Sequence, residues 1–555
     1  MKKINKKTSL VITIIALFAI ITRLWLLASS NWRIIIESYY DSHLQINEAI
    51  SLISGNYLGA YSKLTLCKNI SYPIFLFVLH FLHIPYYLGI GLLIITSAIV
   101  FIKAIKPICD NKIIKLIIFI FILFNPVGFN QEALYPYRNA LIPWVVLIIV
   151  SCIVGIYLRK DKKTKEILPY GIIGMVGTGF YWLLREDSIW FLPFILVSFL
   201  VTLYFFIREK YDIKTLIKKS IVSALPMIGI ILSVLLVSSI NYYVYGVFAT
   251  NDRTSSYEAK VLGQLVMIDD GADLNKDVWV SKKAINLAKK ASPTFAKLDL
   301  TPFDAWPKYG DYSIWALRDS VENSGYYKDG KTTNNLYKKI YKELKQAYKD
   351  KKLKKKKAIK LSDTSGVFSK EEIIKPIPIM FHSLYNHAIY KFDKVSDESI
   401  DNREDKASIE KYEILLKINL SKTTKEIIKE TNDYNIVLEN YNLIRSLRYN
   451  KIISNLIILL YRITGLILLI VSLITYIYLI IKKIKKKTTK LNNDVIIIMT
   501  GILLTVFLNS YLVGLWGVGF KLTADATLFL GYTTAQTILV GIFEILALLS
   551  IKNRI

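Results

Sequence analysis

Three short segments carry the residue types that could do chemistry on a phosphate-bearing substrate: SYYDSHLQINEA around Asp41 and Glu48, NQEALYPYRNALIP around Glu132 and Arg138, and FYWLLREDSIWFLP around Arg185, Glu186 and Asp187. A carboxylate can take a proton from an acceptor hydroxyl, and arginine presents a planar fork to phosphate oxygens. All three segments are rich in Tyr, Trp and Phe, which also gather at lipid headgroup level simply as anchors. One such segment is ambiguous; three on one face of a membrane point to a site.

The elements that must position these segments are apolar. The chain has 555 residues, 53 % of them hydrophobic, a mean hydropathy of +0.38, and a formal net charge of +29. That charge excludes a nucleic-acid binder once its placement is considered, because the lysines and arginines punctuate apolar runs about 20 residues long. Residues 1–8 are basic and 9–29 are apolar for longer than a signal-peptide core, which predicts a retained signal anchor. Further runs near 86–106, 113–128, 139–158, 168–184, 188–207, 219–245, 453–481, 494–516 and 525–550 bring the expected count to about ten transmembrane helices.

The basic loops KPICDNKIIK, RKDKKTKE, REKYDIKTLIKK and KKIKKKTTK and the tail IKNRI all fall on one side. By the positive-inside rule that side is cytoplasmic, as are both termini, in a multi-pass cell-membrane protein. The Lys, Ile, Asn and Tyr bias suggests a bacterial cell membrane. Two segments are then expected outside: a first outer loop, 30–85, and a large extracytoplasmic soluble domain, 246–450, between the seventh and eighth spans. The predicted organisation is a seven-span module (1–245), the outer domain, and a three-span C-terminal module (451–555). Glu37, Asp41, Glu48, Glu132, Glu186, Asp187 and Asp525 map to the outer face; Arg23 and Glu544 lie inside spans, where charge is costly.

In this order of features the chain resembles the GT-C superfamily of polytopic glycosyltransferases. Asp41 stands twelve residues past Ser29, where that family has an essential acid in its first outer loop. The stretches 41–61 and 72–87 have the length of the family's interfacial helices, and CKNISYP resembles the Lys-then-Pro pattern opening the second. The segment GIIGMVGTGFYWLLREDSIWFLPFILV resembles the family's small-residue helix, basic residue and Pro-containing next helix, with Arg185 in the basic position. The inserted outer domain is similar to the layout of protein O-mannosyltransferases and aminoarabinose transferases, though 246–450 contains nothing that reads as a β-trefoil. The departures are the lack of an adjacent acidic pair beside Asp41 and of a metal-binding DxD.

The resemblance implies inverting transfer of a sugar from a polyprenyl-phosphate-linked donor to a glycan or protein acceptor, with membrane lipids around the donor. Asp41 would be general base; Arg138, Arg185 and Lys68 would grip the lipid phosphate; His43, Glu132, Glu186 and Asp187 would orient the acceptor or the site. Some members use a divalent metal ion and others none, so a metal is an open expectation, as its ligands are. A polysaccharide polymerase or ligase acting on undecaprenyl-diphosphate glycans is an alternative that would draw on Arg253, Arg318 and Arg403. A non-enzymatic lipid-linked glycan transporter would draw on Glu544 and Arg23.

The remaining features are bland. No GxGxxG or GxxxxGK[ST] loop offers a nucleotide site, and His43, His80, His83, His382 and His387 lack zinc-site spacing. Cys67, Cys109 and Cys152 lie in different compartments and form no disulfide framework. The lysine-dense run 338–360 predicts a solvated helix, with 333–350 and 405–447 helical by periodicity, and Trp279, Trp306 and Trp315 read mostly as core.

Overall fold

The computed structural model describes residues 6–33, 41–271, 274, 278–305, 310–393, 395, 406–418, 434–518 and 523–552; Glu37, Trp306 and Arg403 lie outside them. The first half of the chain forms α1 (Lys6–Ala28), α2 (Ser42–Ile53), α3 (Ser71–Phe81), α4 (Tyr86–Ala104), α5 (Lys112–Leu123), α6 (Ile142–Tyr157), α7 (Thr164–Trp182), α8 (Leu192–Arg208) and α9 (Ile213–Tyr245). Their boundaries follow from capping chemistry. The Asn111 side chain accepts from the amides of Ile113 and Ile114 to start α5, Asp212 accepts from Thr215 to start α9, and Pro143 and Pro193 stand in the first turns of α6 and α8.

Among the described residues eight helices are long and apolar enough to cross a membrane: α1, α4, α6, α8, α9, and three near the C-terminus, described below. Two of the ten expected spans do not meet that measure. The run 113–128 folds as α5, only 12 residues or about 18 Å, because Asn125 and Pro126 end the helix in a 3-10 turn. The run 168–184 folds as the 19-residue α7, whose glycines and Pro169 dilute its apolar character.

Those glycines serve packing instead. A Cβ at Gly229 of α9 would collide with the Met175 carbonyl oxygen of α7, so the two backbones touch there. Beside that contact Thr178 Oγ1 of α7 donates to the Pro226 carbonyl of α9 (2.6 Å), a polar bond across two closely packed helices. At the centre stands α6, every residue of which is buried.

The segment after α9 makes a separate helical core. α10 (Tyr257–Val266), α11 (Lys282–Ala291), α12 (Pro302–Ala305), α13 (Ser313–Asn323) and α14 (Gly330–Lys349) enclose Leu262, Leu265, Phe295, Leu317, Ile340 and Leu344. Trp279 and Trp315 are buried in it, as expected for core aromatics. The helix predicted over 333–350 is α14, and the lysine run continues past it into β1 (Ile359–Lys360), which pairs antiparallel with β2 (Val367–Phe368) in the register Ile359↔Phe368.

α15 (Ile377–Ala388) and α16 (Lys406–Leu416) follow, then α17 (Tyr434–Ile484), α18 (Lys490–Gly517) and α19 (Thr527–Lys552), of which Arg445–Ile484, α18 and Leu528–Ile551 complete the eight. α15 lies in the stretch expected outside, yet it packs into the bundle. Ser383 donates to Gln536 and His387 meets Thr533 and Thr537, all on α19 (3.0, 3.0 and 2.8 Å). Arg462 of α17 donates to the carbonyls of Tyr390 and Asp393, just past the end of α15. Twelve residues broken by Ser, Asn and His are too short to stand out as a span, so apolar periodicity places them with the hydrophilic segment.

Candidate functional site

Asp41 occupies the N-cap position of α2, a place where aspartate ordinarily accepts from backbone amides. Here it makes no capping bond. Its Oδ1 instead accepts from Lys68 Nζ (2.7 Å) and from the Tyr137 hydroxyl (3.0 Å). Lys68 lies just before α3, a segment fixed by the bond from Ser71 N to the Leu183 carbonyl at the end of α7 (2.9 Å). Tyr137 and Arg138 come from the 3-10 turn that opens into α6.

Arg138 is buried and donates from Nη1 to both oxygens of Glu186 (3.0 and 2.7 Å), and Glu186 also accepts from the Asn69 amide (3.1 Å). The neighbouring Arg185 forms a two-pronged pair with Asp187 (2.7 and 2.9 Å) and donates from Nη1 to Asn139 Oδ1 (2.8 Å) and to the Gly531 carbonyl (3.1 Å). Its guanidinium lies over the Tyr532 ring, 4.4 Å from the centroid. Asn139 in turn donates to Glu132 Oε2 (2.7 Å). Segments far apart in the chain, from Asp41 to Tyr532, thus converge at one end of the bundle.

Of the residues singled out from sequence, Asp41, Lys68, Arg138, Arg185, Glu132, Glu186 and Asp187 meet in this cluster. His43 turns instead toward α16, its Nδ1 sitting 3.4 Å from the Tyr412 hydroxyl. The structure adds Tyr137, Asn69, Asn139, Tyr532 and Glu48. Tyr137 and Asn69 are chain neighbours of chosen residues, and Glu48 lies seven positions after Asp41, on the same helical face. Tyr532 carries no sequence signal at all.

The electrostatics divide the acids into two kinds. Burial alone would raise Asp41, but the Lys68 charge and hydrogen bond, then Arg138 and the Tyr137 hydroxyl, outweigh it and hold the carboxyl well below the usual range. Glu186 behaves likewise, burial being overcome by Arg138, Lys68 and Arg253. Burial draws Lys68 below its ordinary value, with Asp41 opposing, and the pair stands as ammonium and carboxylate. Glu48 goes the other way. It is buried, neither carboxyl oxygen has a hydrogen-bond partner among the described residues, and burial pushes it well above its ordinary value despite Lys68 and Arg138. Glu132 is also raised by burial, against Asn139 and Arg185.

A carboxyl held protonated by folding opposes stability as pH rises, since the unfolded chain releases that proton first. Glu48→Gln keeps the shape and the neutral state. In thermal unfolding across pH, the variant should match wild type near pH 4.5, the ordinary glutamate value, and gain on it by about 1.4 kcal/mol per pH unit above that, up to the folded value. Parallel wild-type and variant curves would show Glu48 to be charged.

No set of three or more His, Cys, Asp or Glu side chains is placed to hold a metal ion among the described residues. The acids at this end are instead matched to bases, as Asp41, Glu186 and Asp187 are, or buried as Glu48 and Glu132 are. Cys67, Cys109 and Cys152 are buried free thiols.

Fold and site together define an α-helical membrane protein with a dense ion-paired cluster at one end of its bundle. Comparison with protein-family models, with curated proteins and with solved structures gives no match for this chain.

Proposed function

We propose that this chain is a membrane glycosyltransferase of the GT-C kind, a polytopic protein of about ten spans with both termini cytoplasmic, α2 and α3 lying along the outer interface, and 246–450 largely outside. It would transfer a sugar from a polyprenyl-phosphate-linked donor to a glycan or protein acceptor on the outer face. The observation that supports this reading best is Asp41, a charged and half-exposed carboxylate whose Oδ1 carries both of its side-chain bonds among the described residues, which leaves Oδ2 for an incoming hydroxyl.

In this mechanism the acceptor O–H gives its proton to Asp41, its oxygen bonds to the anomeric carbon, and the bond from that carbon to the phosphate oxygen breaks with its electron pair on the leaving phosphate. Cations that tighten on the phosphate as charge develops lower the barrier. Arg138, Arg185 and Lys68 are already engaged by Glu186, Asp187 and Asp41. Lys68 drawn toward the phosphate would release Asp41 and raise its basicity at the moment it is needed.

Arg253 is a further cation beside this cluster. It lies close enough to bear on Glu186 and Lys68, its guanidinium carbon stands over the Trp315 ring 5.9 Å from the centroid, and it makes no hydrogen bond or ion pair among the described residues. That favours a second reading as well, a polymerase or ligase for undecaprenyl-diphosphate glycans, in which Arg253 meets a second phosphate. A reconstituted transfer assay with polyprenyl monophosphate and diphosphate donors separates them. Arg253→Ala should raise KM for the true donor about ten- to a hundredfold, the weight of a bond to a charged group; unchanged KM for both donors would remove Arg253 from the site.

A further inference from the structure

The end of the bundle opposite Asp41 holds a concave feature of its own. α6 runs from the Arg138 turn at the Asp41 end to Leu158, about 24 Å away. There the ends of α4, α6, α7 and α18 frame a cleft of about 930 Å³, a volume in the range of ligand sites.

Its floor is built of buried charge. Lys160 Nζ donates to Asp494 Oδ2 (2.7 Å), and the Tyr157 hydroxyl donates to Asp494 Oδ1 (2.8 Å). Arg159 donates to the last carbonyls of α4, those of Lys103 (2.6 Å) and Ala104 (2.9 Å), and its plane lies over Tyr170 at 4.7 Å. These contacts engage its donors with backbone and leave the Arg159 charge without an acid partner in hydrogen-bond contact among the described residues.

The rim is charged and unmatched. Lys103, Lys106, Lys162 and Lys165 line the cleft, are exposed, and form no ion pair among the described residues. Of the acids that line it, Asp494 is taken by Lys160 and Asp110 by Lys115 (2.7 Å). Asp161 and Glu166 remain against four lysines and Arg159, so the cleft carries excess positive charge.

One wall is apolar. Val100 and Ile173 line the cleft, and the surface continues along α7 through Ile172 and Val176, which are exposed on the bundle's flank. A soluble anion would use the rim alone; a lipid would use the rim for its phosphate and the flank for its chains.

We propose that this cleft is a binding site for an anionic membrane phospholipid. The recognising chemistry is a lipid phosphate held by the rim lysines beside the Arg159 charge, and the apolar wall selects a lipid over a free inorganic anion. The site is independent of the transfer reaction at the other end.

The test uses the purified full chain in detergent, with the thermal shift read against diphosphatidylglycerol, phosphatidylcholine and inorganic pyrophosphate. A concentration-dependent rise in Tm is expected with diphosphatidylglycerol and not with phosphatidylcholine. Lys106→Gln/Lys165→Gln should weaken the apparent affinity about thirtyfold, while Lys339→Gln/Lys345→Gln, which removes the same charge from α14, should leave it unchanged. An equal response to phosphatidylcholine, or equal loss in both double variants, overturns the site. A response to pyrophosphate with none to the lipid overturns the lipid as its occupant.

Discussion

Arg318→Ala should destabilise the protein by about 3–5 kcal/mol, the cost of removing one partner from a buried charge network. Arg318 is 1 % exposed in α13, and its Nε and Nη2 donate to Glu258 (2.7 Å) and Asp252 (3.2 Å). Its Nη1 reaches the Lys63 carbonyl and the Cys67 sulfur in the loop between α2 and α3. One guanidinium therefore ties the helical domain to the loop that carries Lys68.

Truncation leaves two buried carboxyls facing each other. Burial already pushes Glu258 up to about 7 and raises Asp252, and loss of the cation would raise both further. Groups held protonated by folding contribute stability at low pH that is lost as pH rises through their folded values. Arg318→Ala should accordingly be less damaging at pH 5 than at pH 8, measured by thermal unfolding and by proteolysis of 246–374. Arg318→Lys keeps the charge without the fork and should fall between. An unaltered melting profile would contradict the network. The burial of Arg318 also makes it a poor candidate for a substrate-holding arginine in a polymerase.

The second large effect is on chemistry. Asp41→Asn should lower sugar transfer by about two to four orders of magnitude, the range attributed to a positioned general base. The amide oxygen can still accept from Lys68 and Tyr137, so the local shape persists, but an amide cannot take the acceptor proton. The stability cost falls on Lys68, which is 4 % exposed and loses its charged partner. Because Lys68 holds Asp41 well below the ordinary carboxylate range, the wild-type base stays ionised through neutral and mildly acidic pH. The acid limb of the kcat/KM profile, which reports the free enzyme, should lie below about pH 4, the ordinary aspartate value, and a limb near neutrality would point to a different base.

Much of this cluster is legible in the amino-acid chain itself, because charge beside an apolar run is costly and therefore stands out. Asp41, Arg138, Arg185 and Glu186 are each the conspicuous polar residue of an aromatic turn. Their partners are less visible. Asn139, Tyr532 and the Gly531 carbonyl acquire meaning only when α19 folds back beside the α7–α8 turn, and Arg253 and Arg318 only when the helical domain closes on the α2–α3 loop. Glu48 reads as one acid among several; its burial without a partner is a property of packing.

The helices show the same division. Long apolar runs such as 219–245 are plain in the sequence, whereas α5 is cut short by Asn125 and Pro126 and α15 enters the bundle with only 12 residues. Hydropathy averages over a window, and neither feature survives the averaging. The periodicity of 333–350 marks α14 in the sequence, whereas α10, α11 and α13 are only 10 or 11 residues long and do not stand out in a window, even where the buried residues keep to one face, as Ala284, Ile285 and Ala288 do in α11.

The most direct test of the transferase reading is the initial rate of radiolabelled sugar transfer from polyprenyl-phosphate donors in proteoliposomes holding equal amounts of wild type or Asp41→Asn, with folding checked by thermal shift. Transfer by wild type that falls at least about a hundredfold in the variant, with both proteins folded, is the predicted result. Equal transfer from the two would contradict Asp41 as the base and with it the assignment of this cluster as the site of reaction.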